Sequence, residues 1–135
     1  MLRAELKDVP FFSSLSKQEL TTVAQQMEEI DIPEGKELVR EGDFGQEFFL
    51  IVDGTAEVLR GGARIAERGP GEFFGEMALL GEERRTATVT ARSPMRVLVM
   101  TRQSFRALDR SAPGIHATVA EAIEARRAET PAGGG

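Results

Sequence analysis

From residue 30 to residue 100 the chain is cut into short apolar or alternating runs, at 30–32, 37–40, 48–52, 55–60, 64–68, 86–91 and 96–100. Pro33, Gly35, Gly42, Gly45, Gly54, Gly61, Gly62, Gly69, Pro70 and Gly71 punctuate them. Many short strands at close spacing, with turn residues between, indicate an antiparallel sandwich or barrel rather than βαβ units. Gly61-Gly62 stands between two alternating runs and predicts a tight hairpin; Asp53-Gly54 predicts another turn.

Helical periods bracket the strands. Ser16-Lys17-Gln18-Glu19 has the form of a capping box, a hydroxyl at the N-cap and a carboxylate three residues on. Leu20, Val23, Ala24 and Met27 follow at i, i+3, i+4 and i+7 and share one face. Pro10, Phe11 and Phe12 interrupt the segment before it, so residues 2–9 are expected to form a separate short helix. After Met100 the helical period returns. Thr101 is placed to cap a helix holding Phe105 and Leu108, and Pro113 opens a last helix with Ile115, Val119, Ala122 and Ile123 on one side. With 135 residues this amounts to one domain, residues 1–129, followed by a flexible tail or linker at 130–135.

Composition excludes several functions. The chain has 17 Lys+Arg against 22 Asp+Glu, a net charge of −5, which argues against a dedicated DNA- or RNA-binding surface. All eight aromatics are Phe, so base-stacking ladders are not expected. Cysteine is absent, which removes disulfides, thiolate zinc sites and a cysteine nucleophile. His116 is the only histidine, so multi-His metal clusters are excluded, and a Ser/His/Asp triad would lack a nucleophile elbow. His116 is read as a surface residue. The sequence therefore predicts no metal, no cofactor and no enzyme. No 18-residue apolar run and no apolar signal core occur; no membrane insertion is expected, and a cytoplasmic compartment is the default.

Charge is unevenly spread. Residues 28–83 hold 15 acids and 5 bases, whereas residues 84–108 hold six Arg and no acid. Such segments either pair with each other within the fold or lend a cation to an anionic ligand. The segment Gly71-Glu72-Phe73-Phe74-Gly75-Glu76-Met77-Ala78-Leu79-Leu80-Gly81 reads as a strand end, a tight approach and a turn or two of helix. A helix opening after Gly75 exposes N–H groups that suit an anion, and Gly75 lets a ligand come close to the chain. Arg85 stands at the mouth of the next strand, where it is able to clamp a phosphate. Glu76 is wrong for phosphate alone but accepts a sugar hydroxyl well. Together these residues describe a site for a small nucleotide with one phosphate charge. The bland reading is a surface turn in which Arg85 pairs with Glu82, Glu83 or Glu76.

Phe74-Gly75-Glu76-Met77-Ala78-Leu79-Leu80, a short spacer and Arg85-Thr86-Ala87-Thr88 resemble the phosphate-binding cassette of the cyclic nucleotide-binding domain family. Glu41-Gly42-Asp43-Phe44-Gly45 and the strand at 48–54 resemble the family's glycine turns and the strand between them. Gly69-Pro70-Gly71-Glu72 resembles its approach to the cassette. The likeness covers roughly residues 11–127. It implies a mainly β fold, an eight-stranded antiparallel jelly-roll β-barrel with N-terminal helices, a short cassette helix and two C-terminal helices, hinge and lid. It also implies a regulatory sensor whose ligand is cAMP or cGMP, with Gly75 and Ala78 giving N–H groups to the ligand, Glu76 taking the ribose 2′-OH and Arg85 pairing with the cyclic phosphate. Thr86 matches a position that often holds Thr in members accepting cGMP, but several cAMP-preferring members share it, so base choice stays open. Met77 lines the pocket or belongs to the core. In the family the last helix folds over the base, which makes Ile123, Arg126 and Arg127 candidate lid contacts, with solvated arginines as the alternative. Phe44 departs from the small residue or Pro common at its position, a change expected to matter little. No helix-turn-helix, channel or kinase pattern is recognised, so the effector or partner protein is unspecified; the apolar faces of the terminal helices offer a possible homodimer. The alternative function is an interaction or scaffold domain that kept the barrel and lost the ligand.

Overall fold

The computed structural model describes residue 9 and residues 12–80, 84–108 and 111–129; within these, only the backbone is described for residues 80, 122, 123 and 126–129. The helix expected at 2–9 and the tail at 130–135 lie outside the described residues. The elements are α1 (Lys17–Gln25), β1 (Glu28–Ile32), β2 (Glu37–Val39), β3 (Glu47–Asp53), β4 (Ala56–Arg60), β5 (Ala63–Arg68), β6 (Phe73–Phe74), α2 (Met77–Leu80), β7 (Thr88–Ala91), β8 (Met95–Thr101), α3 (Arg102–Ala107) and α4 (Gly114–Glu129).

The eight strands form two antiparallel four-stranded sheets, ordered β1-β8-β3-β6 and β2-β7-β4-β5. This is the jelly-roll arrangement expected from the sequence, built as two facing sheets. Gly61 and Gly62 both take positive φ, as a two-residue primed hairpin requires, and Arg60 pairs with Ala63 across it. The strand expected to begin at residue 86 begins at Thr88 instead. The reason is that Arg85 pairs its peptide with another loop: Gly42 N–H donates to the Arg85 carbonyl at 2.8 Å, and Arg85 N–H donates to the Asp43 carbonyl at 2.7 Å.

The first sheet is covered on both faces, which explains why Phe48-Phe49-Leu50-Ile51 is apolar without alternation. Phe48, Leu50, Leu98 and Met100 point into one core, shared with Leu20, Val23, Phe105, Leu108, Ile115 and Val119 of the helical segments. Phe49, Ile51, Val97 and Val99 point into a second core, shared with Val58, Val89 and Ala91 of the other sheet. Successive side chains of a strand face opposite ways, so β3 and β8 serve both. Part of the arginine-rich segment pairs with the acidic one, as Arg92 with Glu57 at 3.1 Å and Arg96 with Glu29 at 3.2 Å.

The capping box forms in full. Ser16 Oγ accepts from Glu19 N–H, and Glu19 Oε1 accepts from Ser16 N–H, both at 3.1 Å. Glu19 Oε2 also accepts from Gly114 N–H at 3.0 Å, so one carboxylate closes the N-termini of α1 and α4 together. The bonds from the Ser16 and Gly114 peptides hold its pKa below the ordinary 4.5. A lowered carboxyl pKa supplies stability above the unfolded value, lost as pH falls through the folded one. Glu19→Ala should therefore be less stable than wild type at pH 7, by about 0.3–1 kcal/mol for a surface carboxylate at a helix N-terminus, and the gap should narrow on acidification below pH 4.5 in denaturant titrations. A gap independent of pH would refute the double cap.

Candidate functional site

The cassette begins where β6 pairs with β3. Phe74 stacks on Phe49, with ring centroids 4.8 Å apart, and anchors the segment in the inter-sheet core. Gly75 then turns the chain at φ +83°, and a Cβ there would lie 2.6 Å from the Glu47 carbonyl oxygen and 2.8 Å from Arg85 Nη1. Only glycine fits that approach. The single turn of α2 follows, with Leu79 buried in the helical core.

Arg85 reaches back across this turn. Its Nη2 donates to the Glu47 carbonyl at 2.9 Å. The guanidinium also fills the place a side chain at Gly45 would take, so Gly45 and Gly75 flank it. Burial pulls the Arg85 pKa below the usual arginine range, while the Glu47 and Glu76 carboxylates push it back up. The group is a half-buried cation between two glycines.

Two cavities meet at Arg85. The inner cleft, about 30 Å³, is lined by Val39, Phe74, Gly75, Met77, Ala78, Arg84, Arg85, Thr86, Ala87 and Val89. The outer cavity, about 400 Å³, has Glu37, Arg40, Asp43, Phe44, Gly45 and Glu47 among its walls. The outer volume falls in the range usual for small-ligand pockets, roughly 300–1,000 Å³. Apolar groups therefore lie inside, a cation stands at the junction, and a polar vestibule opens outward.

Gly75, Met77, Ala78, Arg85 and Thr86 are thus brought to one cleft. Met77 serves both expected roles, lining the cleft and packing against the helical core. The Ala78 N–H donates to the Gly75 carbonyl at 3.1 Å within the turn. Thr86 Oγ1 is buried without a hydrogen-bond partner at the cleft wall, and Arg60 Nε donates to the Thr86 carbonyl at 3.2 Å. Glu76 is 0% exposed and lines neither cavity. Ile123, Arg126 and Arg127 belong to α4, and their side chains are outside the described residues. His116 is exposed, with its ring 4.6 Å from that of Phe105.

Two contributors escaped the sequence reading. Gly45 makes room for the guanidinium. Arg102, 6% exposed, donates from Nε to the Ala78 carbonyl at 2.8 Å and so ties α3 to the cassette helix. Nothing local marks either role, because each depends on a partner distant in sequence. Among the described residues no group of three or more His, Cys, Asp and Glu side chains is placed to hold a metal ion, and no helix is long and apolar enough to cross a membrane.

Fold and site together define a β-sandwich module with two cavities that share Arg85 in their linings. Residues 29–111 match the family described as the cyclic nucleotide-binding domain. The chain is 34% identical over 110 residues to a cAMP-dependent protein kinase regulatory subunit of Emericella nidulans, covering 80% of this chain and 27% of the relative. It is 39% identical over 88 residues to a cGMP-dependent protein kinase of Eimeria tenella, covering 65% and 9%. The catabolite activator protein of Thermus thermophilus superposes with a TM-score of 0.83 at 31% identity, covering 90% of this chain and 60% of that one. The chain belongs to the cyclic nucleotide-binding domain family. It spans about a quarter of the length of the Emericella relative.

Proposed function

We infer that residues 1–129 form one sensor domain that binds a cyclic mononucleotide, cAMP or cGMP, and answers by repacking its C-terminal helices. The observation that carries this reading is Arg85, a half-buried guanidinium held between Gly45 and Gly75 where two cavities join. A singly charged phosphate suits that cation, with the Gly75 N–H assigned to it as well; the Ala78 N–H, which donates to the Gly75 carbonyl, would have to be released as the cassette shifts in order to join them. At about 30 Å³ the inner cleft is too small for a base as it stands and would have to widen with the cassette to take one, with Thr86 Oγ1 at its wall.

Glu76 is assigned to the ribose 2′-OH. Its burial means that the cassette must open or shift for the sugar to reach it. Such a shift has a route outward. The Ala78 carbonyl is bonded to Arg102 of α3, and Leu79 packs in the core that holds Phe105, Leu108, Ile115 and Val119. Ligand would bias a two-state packing of these helices. Ile123, Arg126 and Arg127 are the candidates for contact with the base from α4. The cAMP-dependent kinase regulatory subunit and the cGMP-dependent kinase support a cyclic nucleotide as the ligand class.

Calorimetric titration with both nucleotides tests the reading. Saturable heat at tens of micromolar or below, roughly −6 kcal/mol or tighter, is expected; its absence for both ligands would favour the scaffold alternative. Glu76→Gln should weaken binding less than loss of Arg85, because its amide carbonyl still accepts from a hydroxyl. The order of the two affinities checks that assignment.

A further inference from the structure

We propose that Phe44 and Arg84 form a stacked brace that positions the Arg85 guanidinium, making both positioning residues of the ligand site. The proposal rests on the binding function assigned to Arg85 above. It also reverses the sequence expectation that the departure at Phe44 matters little.

Phe44 is 66% exposed, so burial in a core does not account for an aromatic ring there. The guanidinium carbon of Arg84 lies 4.3 Å from the ring centroid, a cation–π distance. The same guanidinium donates from Nη1 to the Gly42 carbonyl at 2.8 Å. Phe44 and Arg84 also form an isolated antiparallel bridge. Two further bonds, Gly42 N–H to the Arg85 carbonyl and Arg85 N–H to the Asp43 carbonyl, complete the join.

The consequence lies one residue away on each strand of this join. Gly45 follows Phe44, and Arg85 follows Arg84. The Arg85 guanidinium lies directly on Gly45. The stack therefore fixes the surface on which the ligand-facing cation rests; Phe44 borders the outer cavity and Arg84 the inner cleft, so the Arg85→Lys background below is what separates positioning from direct contact. Phe44 carries no charge, so its removal tests positioning apart from simple electrostatics.

Affinities for cAMP and cGMP should be measured by calorimetry, with off-rates by stopped flow, for Phe44→Ala, Phe44→Leu and Phe44→Trp, each in the wild-type and Arg85→Lys backgrounds. Phe44→Ala is expected to weaken binding about two- to fivefold, mainly through a faster off-rate, the scale of an exposed cation–π contact. Phe44→Trp should restore wild-type affinity, while Phe44→Leu, which keeps apolar bulk without a π face, should not. In Arg85→Lys the Phe44→Ala effect should vanish, because the two act through one group. Equal losses in both backgrounds, a Phe44→Leu variant like wild type, or no loss at all would overturn the proposal. A ligand-free measurement separates this inference from the functional one. The Gly42 and Arg85 amides should exchange faster in Phe44→Ala and normally in Phe44→Trp. If wild type binds neither nucleotide, the sensor reading fails, and the brace stands or falls on that exchange result.

Discussion

Replacing Arg85 with alanine should cost the domain about 2–5 kcal/mol of nucleotide affinity, roughly a 30- to 4,000-fold rise in Kd. The size follows from the setting. The guanidinium is partly desolvated, and burial already works against its charge. An incoming phosphate would thus meet a half-buried cation, with less water to compete for it than at an open surface. Its hydrogen-bond acceptor, the Glu47 carbonyl, is neutral and on the exposed end of β3, while the Glu47 and Glu76 carboxylates act on its charge. Loss of that bond should leave the fold largely intact, so the Arg85→Ala thermal midpoint should stay near wild type while binding collapses. Arg85→Lys should recover only part of the affinity, since an ammonium lacks the planar fork. Undiminished affinity in Arg85→Ala would remove the arginine from the site.

The second large effect is expected at Arg102. Truncation to alanine leaves the Ala78 carbonyl without its charged donor in a buried setting. A hydrogen bond to a charged group contributes about 1.5–3 kcal/mol, and the vacated space adds to the loss. Chemical denaturation should register a stability drop of that size. Ligand titration followed by amide chemical shifts should register something more specific. In wild type, binding is expected to shift the signals of Phe105 and Leu108. In Arg102→Ala those shifts should shrink even where binding persists, because the direct tie between cassette and α3 is gone. Full-sized shifts in the variant would mean that Leu79 packing alone transmits the change.

Much of this architecture was legible in the residues. Strands are marked by local alternation and helix starts by local chemistry, so the seven runs, the Gly61-Gly62 hairpin and the Ser16 box were all readable. The cassette was readable because its chemistry is nearly contiguous, from Phe74 through Arg85. Other features join positions far apart, and no period or motif announces them. Glu19 meets Gly114 across 95 residues, Arg84 meets Gly42 across 42, and Arg102 reaches back 24 to Ala78. The strand boundary at Thr88 failed for the same reason. Thr86 suits a strand by propensity and Ala87 continues the alternation into Thr88, yet the peptide before them is engaged by a distant turn. The chemistry of Glu76 suits a ligand-facing carboxylate, whereas its complete burial follows from tertiary packing that no local pattern encodes.

The central sheet acts as a party wall. Because β3 and β8 send alternate side chains to opposite sides, the molecule has two interiors that share a boundary but few occupants. Under the proposed function, the tenants on the helical side are the ones that would be rearranged on binding, while the room between the sheets would stay furnished as before. A message carried in one compartment would then leave the shape of the other intact, with no need to melt the domain.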